Sequence, residues 1–201
     1  MLKKHSQVDV AVLDKVPHQC LIEKLRFYNI HPNVISWTTS FFSNRTQSVV
    51  VDGFTSAEAA VISGVPQGTV MGLFMLFLIF INDIACNINS TVRLFADDCL
   101  LYKEIVSKSD TTTLQQDPTE LVEWSKTWGM AFNIPKCNVL SVMNATKNKI
   151  DATYEMDGKP LNNFNSTLYL GVTISRKLQW KEHIDVTCSA ATRMLGFLCR
   201  T

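Results

Sequence analysis

Between Arg93 and Tyr102 the sequence reads RLFADDCLLY, placing Asp97 and Asp98 side by side between two short apolar runs. Carboxylates in such a place can serve as general acid or base, or supply oxygen to a divalent cation. Adjacent aspartates also repel each other, and burying them is costly without hydrogen bonds or a cation. Aspartate is equally a good turn residue, so an ordinary hairpin turn would explain the pair without any chemistry. Both readings stand on these ten residues alone.

Other residues narrow the chemistry. SGVPQG (63–68) combines Gly64, Pro66, Gln67 and Gly68 ahead of an apolar run. Its glycines allow close backbone approach, its proline stiffens the loop, and a following helix N-terminus would favour anions. A plain strand-to-helix loop has the same composition. Trp124 and Trp128 stand four apart in EWSKTW, on one face of a helix, where packing into the core is the simpler role. The six cysteines form no C-x-x-C pair and the four histidines lack metal-ligand spacing, which argues against zinc. The cysteines are expected to be reduced, buried thiols of an intracellular protein. No acid/base or nucleophile constellation of a two-carboxylate hydrolase is found.

The elements that would position these residues follow from pattern. With 201 residues, 46% of them hydrophobic, the chain can bury one real core. A net charge of +1 gives no strongly basic nucleic-acid footprint, although a local basic groove remains compatible with it. VDVAVL (8–13) predicts a strand, and helices are expected after Pro17 and from Pro32. QSVVVDG and EAAVIS predict two strands joined through Asp52-Gly53. The apolar run Val70–Ile81 has twelve residues, too few for a bilayer, which takes about 20, and predicts a buried helix near 69–82. VRLFADDCLLY reads as strand, turn, strand. A capped helix should start near Ser109. NVLSVM, TYEM-DG-KPL and LYLGVTI (168–174) predict further strands, and a last helix from Lys181 should bury Ile184, Ala191, Met194, Leu195 and Leu198. Mixed helices and hairpins make the fold class α+β.

In this order the motifs resemble the reverse transcriptase domain of non-LTR (LINE-type) retrotransposons, above all the jockey- and CR1-like groups. The matching text is DKVPH (14–18), SNRTQSVVVDG (43–53), SGVPQG (63–68), FINDI (80–84), RLFADDCLLY (93–102), EWSKTWGMAFNIPKC (123–137) and YLGVTI (169–174). Trp180 and His183-Ile184 continue the pattern. The resemblance implies a right-hand polymerase palm, an antiparallel sheet backed by helices, over 1–175, with the start of a thumb over 176–201. It implies RNA-directed DNA polymerase activity, with Asp97 as principal Mg²⁺ ligand, Asp98 beside it, and a third aspartate from a neighbouring strand. Two such ions serve phosphoryl transfer to a 3′-hydroxyl. The implied partners are an RNA template, a DNA primer and deoxynucleoside triphosphates, with no membrane. Gly64, Pro66, Gln67 and Gly68 would position template and nucleotide, and Lys136 would lie near the nucleotide phosphates.

The sequence departs from this pattern at several points. Family members read D-F-S-K-A-F-D-K-V-P-H, whereas here Asp9 precedes Asp14 by five positions, one fewer. Either Asp9 serves after a one-residue deletion or Val8 holds the place of a missing ligand, since a one-residue slip turns a strand position to the other face. The aromatic that screens the sugar 2′-position falls at Leu13. Leu73 replaces a usual proline, and the segment between Gly72 and Asn82 is one residue longer. The fingers, most of the thumb and any endonuclease domain are expected to be missing. The isolated chain is therefore expected to show no reverse transcription, and an alternative is a catalytically dead relic, inert or reused as a binding module.

Overall fold

The structure is a computed structural model that describes residues 3–9 (backbone only), 15–65, 75–142, 150 and 152–200. In chain order the elements are β1 (Lys3–Asp9), α1 (His18–Phe27), α2 (Pro32–Phe42), β2 (Thr46–Gln47), β3 (Val50–Val51), β4 (Phe54–Thr55), β5 (Ala59–Ala60) and α3 (Phe77–Ile81). They continue with β6 (Thr91–Phe95), β7 (Asp98–Glu104), α4 (Lys108–Thr127), β8 (Asn138–Val142), β9 (Glu155–Met156) and β10 (Lys159–Pro160). Last come β11 (Asn162–Phe164), β12 (Ser166–Tyr169), β13 (Val172–Ser175) and α5 (Lys181–Leu198).

The central sheet has the order β11-β8-β1-β7-β6. Its pairings are antiparallel except at the β11 edge, which runs parallel to β8. In β7, Cys99 and Leu101 are buried while Asp98, Leu100 and Tyr102 are half-buried, the period-two alternation of a sheet covered on one face. The cover is helical. Leu21, Ile22 and Leu25 of α1, Phe77, Phe80 and Ile81 of α3, and Leu114, Leu121 and Val122 of α4 form the core with it.

The helix ends follow local chemistry. Proline 32 opens α2, where its missing N–H costs nothing, and His31 Nδ1 accepts the Asn33 N–H at 3.2 Å. At the start of α4 the Asp110 carboxylate accepts from the Ser107 N–H at 2.8 Å, the Val106 N–H at 3.0 Å and the Ser107 hydroxyl at 2.8 Å. The helix therefore begins at Lys108, one residue before the expected start. Asp117 is fully buried within α4 and accepts the N–H groups of Asn89 and Ser90 at 2.9 and 3.0 Å. That contact ties the helix to the turn entering β6.

Several sequence expectations need correction. The first strand covers Lys3–Asp9, so it begins earlier than expected and includes residues 8 and 9 of the expected 8–13, while residues 10–14 lie outside the described ones. Only 75–81 of the apolar run is described as helical; Leu76, Phe77, Phe80 and Ile81 are buried there as expected. LYLGVTI is not one strand. Leu170 and Gly171 take φ of 48° and 81° and turn β12 back onto β13, with Tyr169 paired to Val172. Positive φ at both central residues is the signature of a type I′ hairpin turn. The expected apolar face of α5 is exposed: Ile184, Met194, Leu195 and Leu198 are each more than half accessible. Its amphipathic period predicted the helix without supplying anything to cover it. Of the cysteines, only Cys99 and Cys137 are buried, while Cys86, Cys188 and Cys199 are exposed. Among the described residues no helix is long and apolar enough to cross a membrane.

Candidate active site

The β6–β7 hairpin closes at the pair Phe95–Asp98, with Ala96 and Asp97 as the turn. Ala96 takes φ of 50°, a left-handed conformation that costs an L-residue roughly 1–2 kcal/mol. The turn tip is therefore held by the ladder on either side. Asp97 is exposed and Asp98, the first residue of β7, is half-buried. Next to it Cys99 is fully buried, and burial together with nearby Cys137 pushes its thiol up to about 12. The pair of carboxylates thus projects from the end of a strand anchored in the core.

The β1 register addresses the shortened segment before Asp14. Asp9 stands opposite Asp98, and Val8 opposite Cys99. Opposed positions of an antiparallel ladder lie about 4.5–5.5 Å apart at Cα. Asp9, not Val8, therefore occupies the ladder position facing the aspartate pair. Lys136 is exposed at the end of a single 3₁₀ turn, Ile134–Lys136. It lies two residues before Asn138, which pairs with Gln7, so it stands at the end of the sheet that Asp9 reaches. Asp9, Asp97, Asp98 and Lys136 share that end.

Tyr169, at the turn between β12 and β13, also lies within electrostatic reach. Burial pushes its phenol pKa up, and the negative charge of Asp98 adds to the effect. Among the described residues no three His, Cys, Asp or Glu side chains gather into a metal-holding group; Asp9 is described through its backbone alone. The donor set still suits a hard divalent cation, because carboxylate oxygens are the ligands such ions take.

Of SGVPQG, Ser63, Gly64 and Val65 are described, while Pro66, Gln67, Gly68 and also Leu13 lie outside the described residues. Gly64 has φ of 90°, a conformation that favours glycine. Its N–H donates to the Val16 carbonyl at 2.9 Å, and its carbonyl accepts from His18 Nε2 at 2.9 Å. A carbonyl only accepts, so Nε2 carries the proton. Pro17 bridges Ser63, and the His18 ring stacks on Phe42 at 4.2 Å. Residues 16–18 and 63–64 are thus one clamped unit, and His18, given no role from sequence, is its fastener.

The Lys24–Asp83 pair also escaped the sequence reading. Lys24 is 1% exposed, its ammonium pairing with Asp83 and donating to the Phe80 carbonyl at 2.5 Å. Its nitrogen lies 4.7, 4.6 and 4.0 Å from the ring centres of Phe80, Trp124 and Trp128. Trp124 Nε1–H donates to the same Asp83 oxygen at 3.0 Å. The two tryptophans are core residues around a buried cation, as the simpler reading held. The available signal was a lysine three positions after Leu21, on the apolar face of α1.

A largely antiparallel sheet backed by helices, with paired aspartates on its β6–β7 hairpin, has the architecture of a polymerase palm. Residues 9–174 match the reverse transcriptase (RNA-dependent DNA polymerase) family, and the chain belongs to it, as a domain of the non-LTR retrotransposon type. It is 28% identical over 180 residues to the RNA-directed DNA polymerase from mobile element jockey of Drosophila melanogaster, covering 85% of this chain and 19% of that protein. The corresponding jockey polymerase of Drosophila funebris is 30% identical over 181 residues, with 85% and 19% covered. A probable RNA-directed DNA polymerase from transposon BS of Drosophila melanogaster is 28% identical over 185 residues, covering 87% and 20%. The chain spans about one-fifth of the length of these relatives. Among solved structures, apo telomerase from Candida tropicalis, truncated from its C-terminal domain, matches with a TM-score of 0.60 at 13% identity. That match covers 89% of this chain and 35% of the other, and it shows a shared fold.

Proposed function

We propose that this chain is the nucleotidyl-transfer palm of an RNA-directed DNA polymerase, with Asp9, Asp97 and Asp98 as its divalent-cation ligands. The observation that carries the reading is the β1 register, which sets Asp9 opposite Asp98 at the closed end of the hairpin bearing Asp97. The preferred ion is Mg²⁺, which would activate a primer 3′-hydroxyl and stabilise the leaving pyrophosphate. The residues' own work is positional. The rigid β6–β7 ladder fixes two carboxylates at the tip, and β1 brings the third from the adjacent strand. Gly64 is held by Val16 and His18, and Pro66, Gln67 and Gly68 after it in sequence would contact template and incoming nucleotide. Lys136 supplies positive charge for triphosphate oxygens at the same end of the sheet. Leu13 would take the place beside the sugar, where its smaller side chain relaxes discrimination against ribonucleotides. The substrates on this reading are an RNA template, a DNA primer and deoxynucleoside triphosphates. An Asp at the required register favours a working palm over a dead relic.

Mn²⁺ binding followed by electron paramagnetic resonance, with primed RNA and a non-hydrolysable nucleotide present, tests the ligand set. The expected result is bound Mn²⁺ displaced by Mg²⁺, with at least tenfold weaker binding in Asp97→Asn, Asp98→Asn and Asp9→Asn. Binding unchanged in all three variants would overturn the assignment. Binding lost in the first two and kept in Asp9→Asn would remove Asp9 alone.

A further inference from the structure

A second feature lies beside the Gly64 clamp. The end of α2, β2, β5 and the residues up to Val65 enclose a cleft of about 500 Å³. Among the described residues that line it, Arg45 is the one arginine or lysine, and none is an aspartate or glutamate. The guanidinium carbon lies 4.8 Å from the Phe41 ring centre, a stack that holds the planar cation in place. Among the described residues no carboxylate pairs with Arg45. Thr46 and Gln47 add neutral hydrogen-bonding groups to the lining. His18 is already committed to the Gly64 carbonyl. A half-buried, oriented guanidinium with no counter-charge among the described residues of a polar cleft calls for an anion of phosphate or carboxylate geometry.

We propose that this cleft seats one backbone phosphate of a single-stranded polynucleotide, with Arg45 as the contact, and that it extends the template track away from Gly64. The inference rests on the polymerase reading and adds a residue and a location to it. A single cation suits one phosphodiester, whereas a nucleoside triphosphate carries several charges and needs several partners. The neighbouring surface agrees with a strand. β2 pairs with β5 and β3 with β4, and Val50, Val51 and Phe54 on this arm are 64%, 62% and 82% exposed. Bases leaving the cleft would meet apolar surface, the usual partner of unpaired bases.

Fluorescence anisotropy of a labelled single-stranded RNA of about 20 nucleotides, titrated across salt, tests this with the full 201-residue chain. One lost phosphate contact lowers the slope of log affinity against log salt by about 0.7 for a single strand. Arg45→Gln should show that decrease with several-fold weaker binding, Arg45→Lys should keep the slope, and Lys108→Gln at the start of α4 should resemble the parent. Circular dichroism of each variant verifies folding. RNA carrying 4-thiouridine should crosslink to peptides within 41–65. RNA binding with an unchanged slope in Arg45→Gln, or crosslinks confined elsewhere, overturns the cleft assignment and leaves the polymerase reading intact. Absence of RNA binding by the parent chain at low salt overturns both. An equal loss of nucleotide–Mg²⁺ binding in Arg45→Gln would reassign the cleft to the triphosphate and overturn the strand proposal.

Discussion

At position 24 a helix of this kind ordinarily carries leucine, since Leu21 and Leu25 beside it are buried. Lysine is tolerated there because three rings, a carbonyl and Asp83 surround its nitrogen. Burial lowers the Lys24 pKa, and the Asp83 hydrogen bond and charge oppose that shift. Removing one member of a buried pair strands the other, a loss of about 3–5 kcal/mol, whereas replacing both with groups of similar volume is much milder. Lys24→Ala should therefore lower the urea unfolding free energy by about 3 kcal/mol or more. Lys24→Met combined with Asp83→Asn should cost less than the sum of the two single changes. Additive losses would show that the ion pair contributes nothing through its coupling.

α4 shows how far its neighbours depend on properly ended elements. Its C-terminus closes with the Gly129 N–H bonded to the Lys126 carbonyl at 3.3 Å and the Met130 N–H to the Ser125 carbonyl at 2.8 Å, the double bond of a Schellman ending. Gly129 has φ of 66°, and a Cβ there would sit 3.0 Å from Pro17 Cγ, in the segment that clamps Gly64. Gly129→Ala should cost about 1–2 kcal/mol from backbone conformation alone, and thermal denaturation would reveal a larger loss if Pro17 cannot yield. At the other end, the Ser107 hydroxyl and the amides of Ser107 and Val106 hold the Asp110 carboxyl below its ordinary value. Because the folded pKa is depressed, this contribution is present above the unfolded pKa of about 3.9 and is lost as pH falls through the folded value. Asp110→Asn should be less stable than the parent at neutral pH, and the gap should narrow below about pH 4. A pH-independent gap in urea midpoints would assign the effect to packing. Sequence pattern revealed these elements where the cause is local: Pro32, the capped start of α4 near Ser109, and the Asp52-Gly53 and Asp157-Gly158 turns. It did not reveal the Leu170-Gly171 turn, because leucine at positive φ carries no local signal. Nor did it place Asp9, whose register depends on β7, about ninety residues away in sequence.

Across the whole molecule, stability is concentrated rather than uniform. The sheet with α1, α3 and α4 holds most of the buried side chains, whereas the β2–β5 arm and α5 hold none. This explains why an aspartate pair can be identified from sequence while its surroundings cannot: the hairpin is local, and the core fixing it is assembled from distant segments. α5 meets the rest chiefly through β13, and His183 Nδ1 accepts the Thr173 N–H at 3.3 Å. Most of the stability of a protein helix comes from tertiary packing of its apolar face, and no residue of α5 is buried, so its amides should exchange well before those of α4 and β8. The same argument predicts that a chain ending at Gln179 unfolds with nearly the midpoint and cooperativity of the full chain. Met194, Leu195 and Phe197 are 63%, 62% and 66% exposed, so deleting them sacrifices little burial and should shift unfolding by less than about 1 kcal/mol. A loss above about 2 kcal/mol, or α5 exchange as slow as that of α4, would show that α5 is covered in solution and belongs to the folded core.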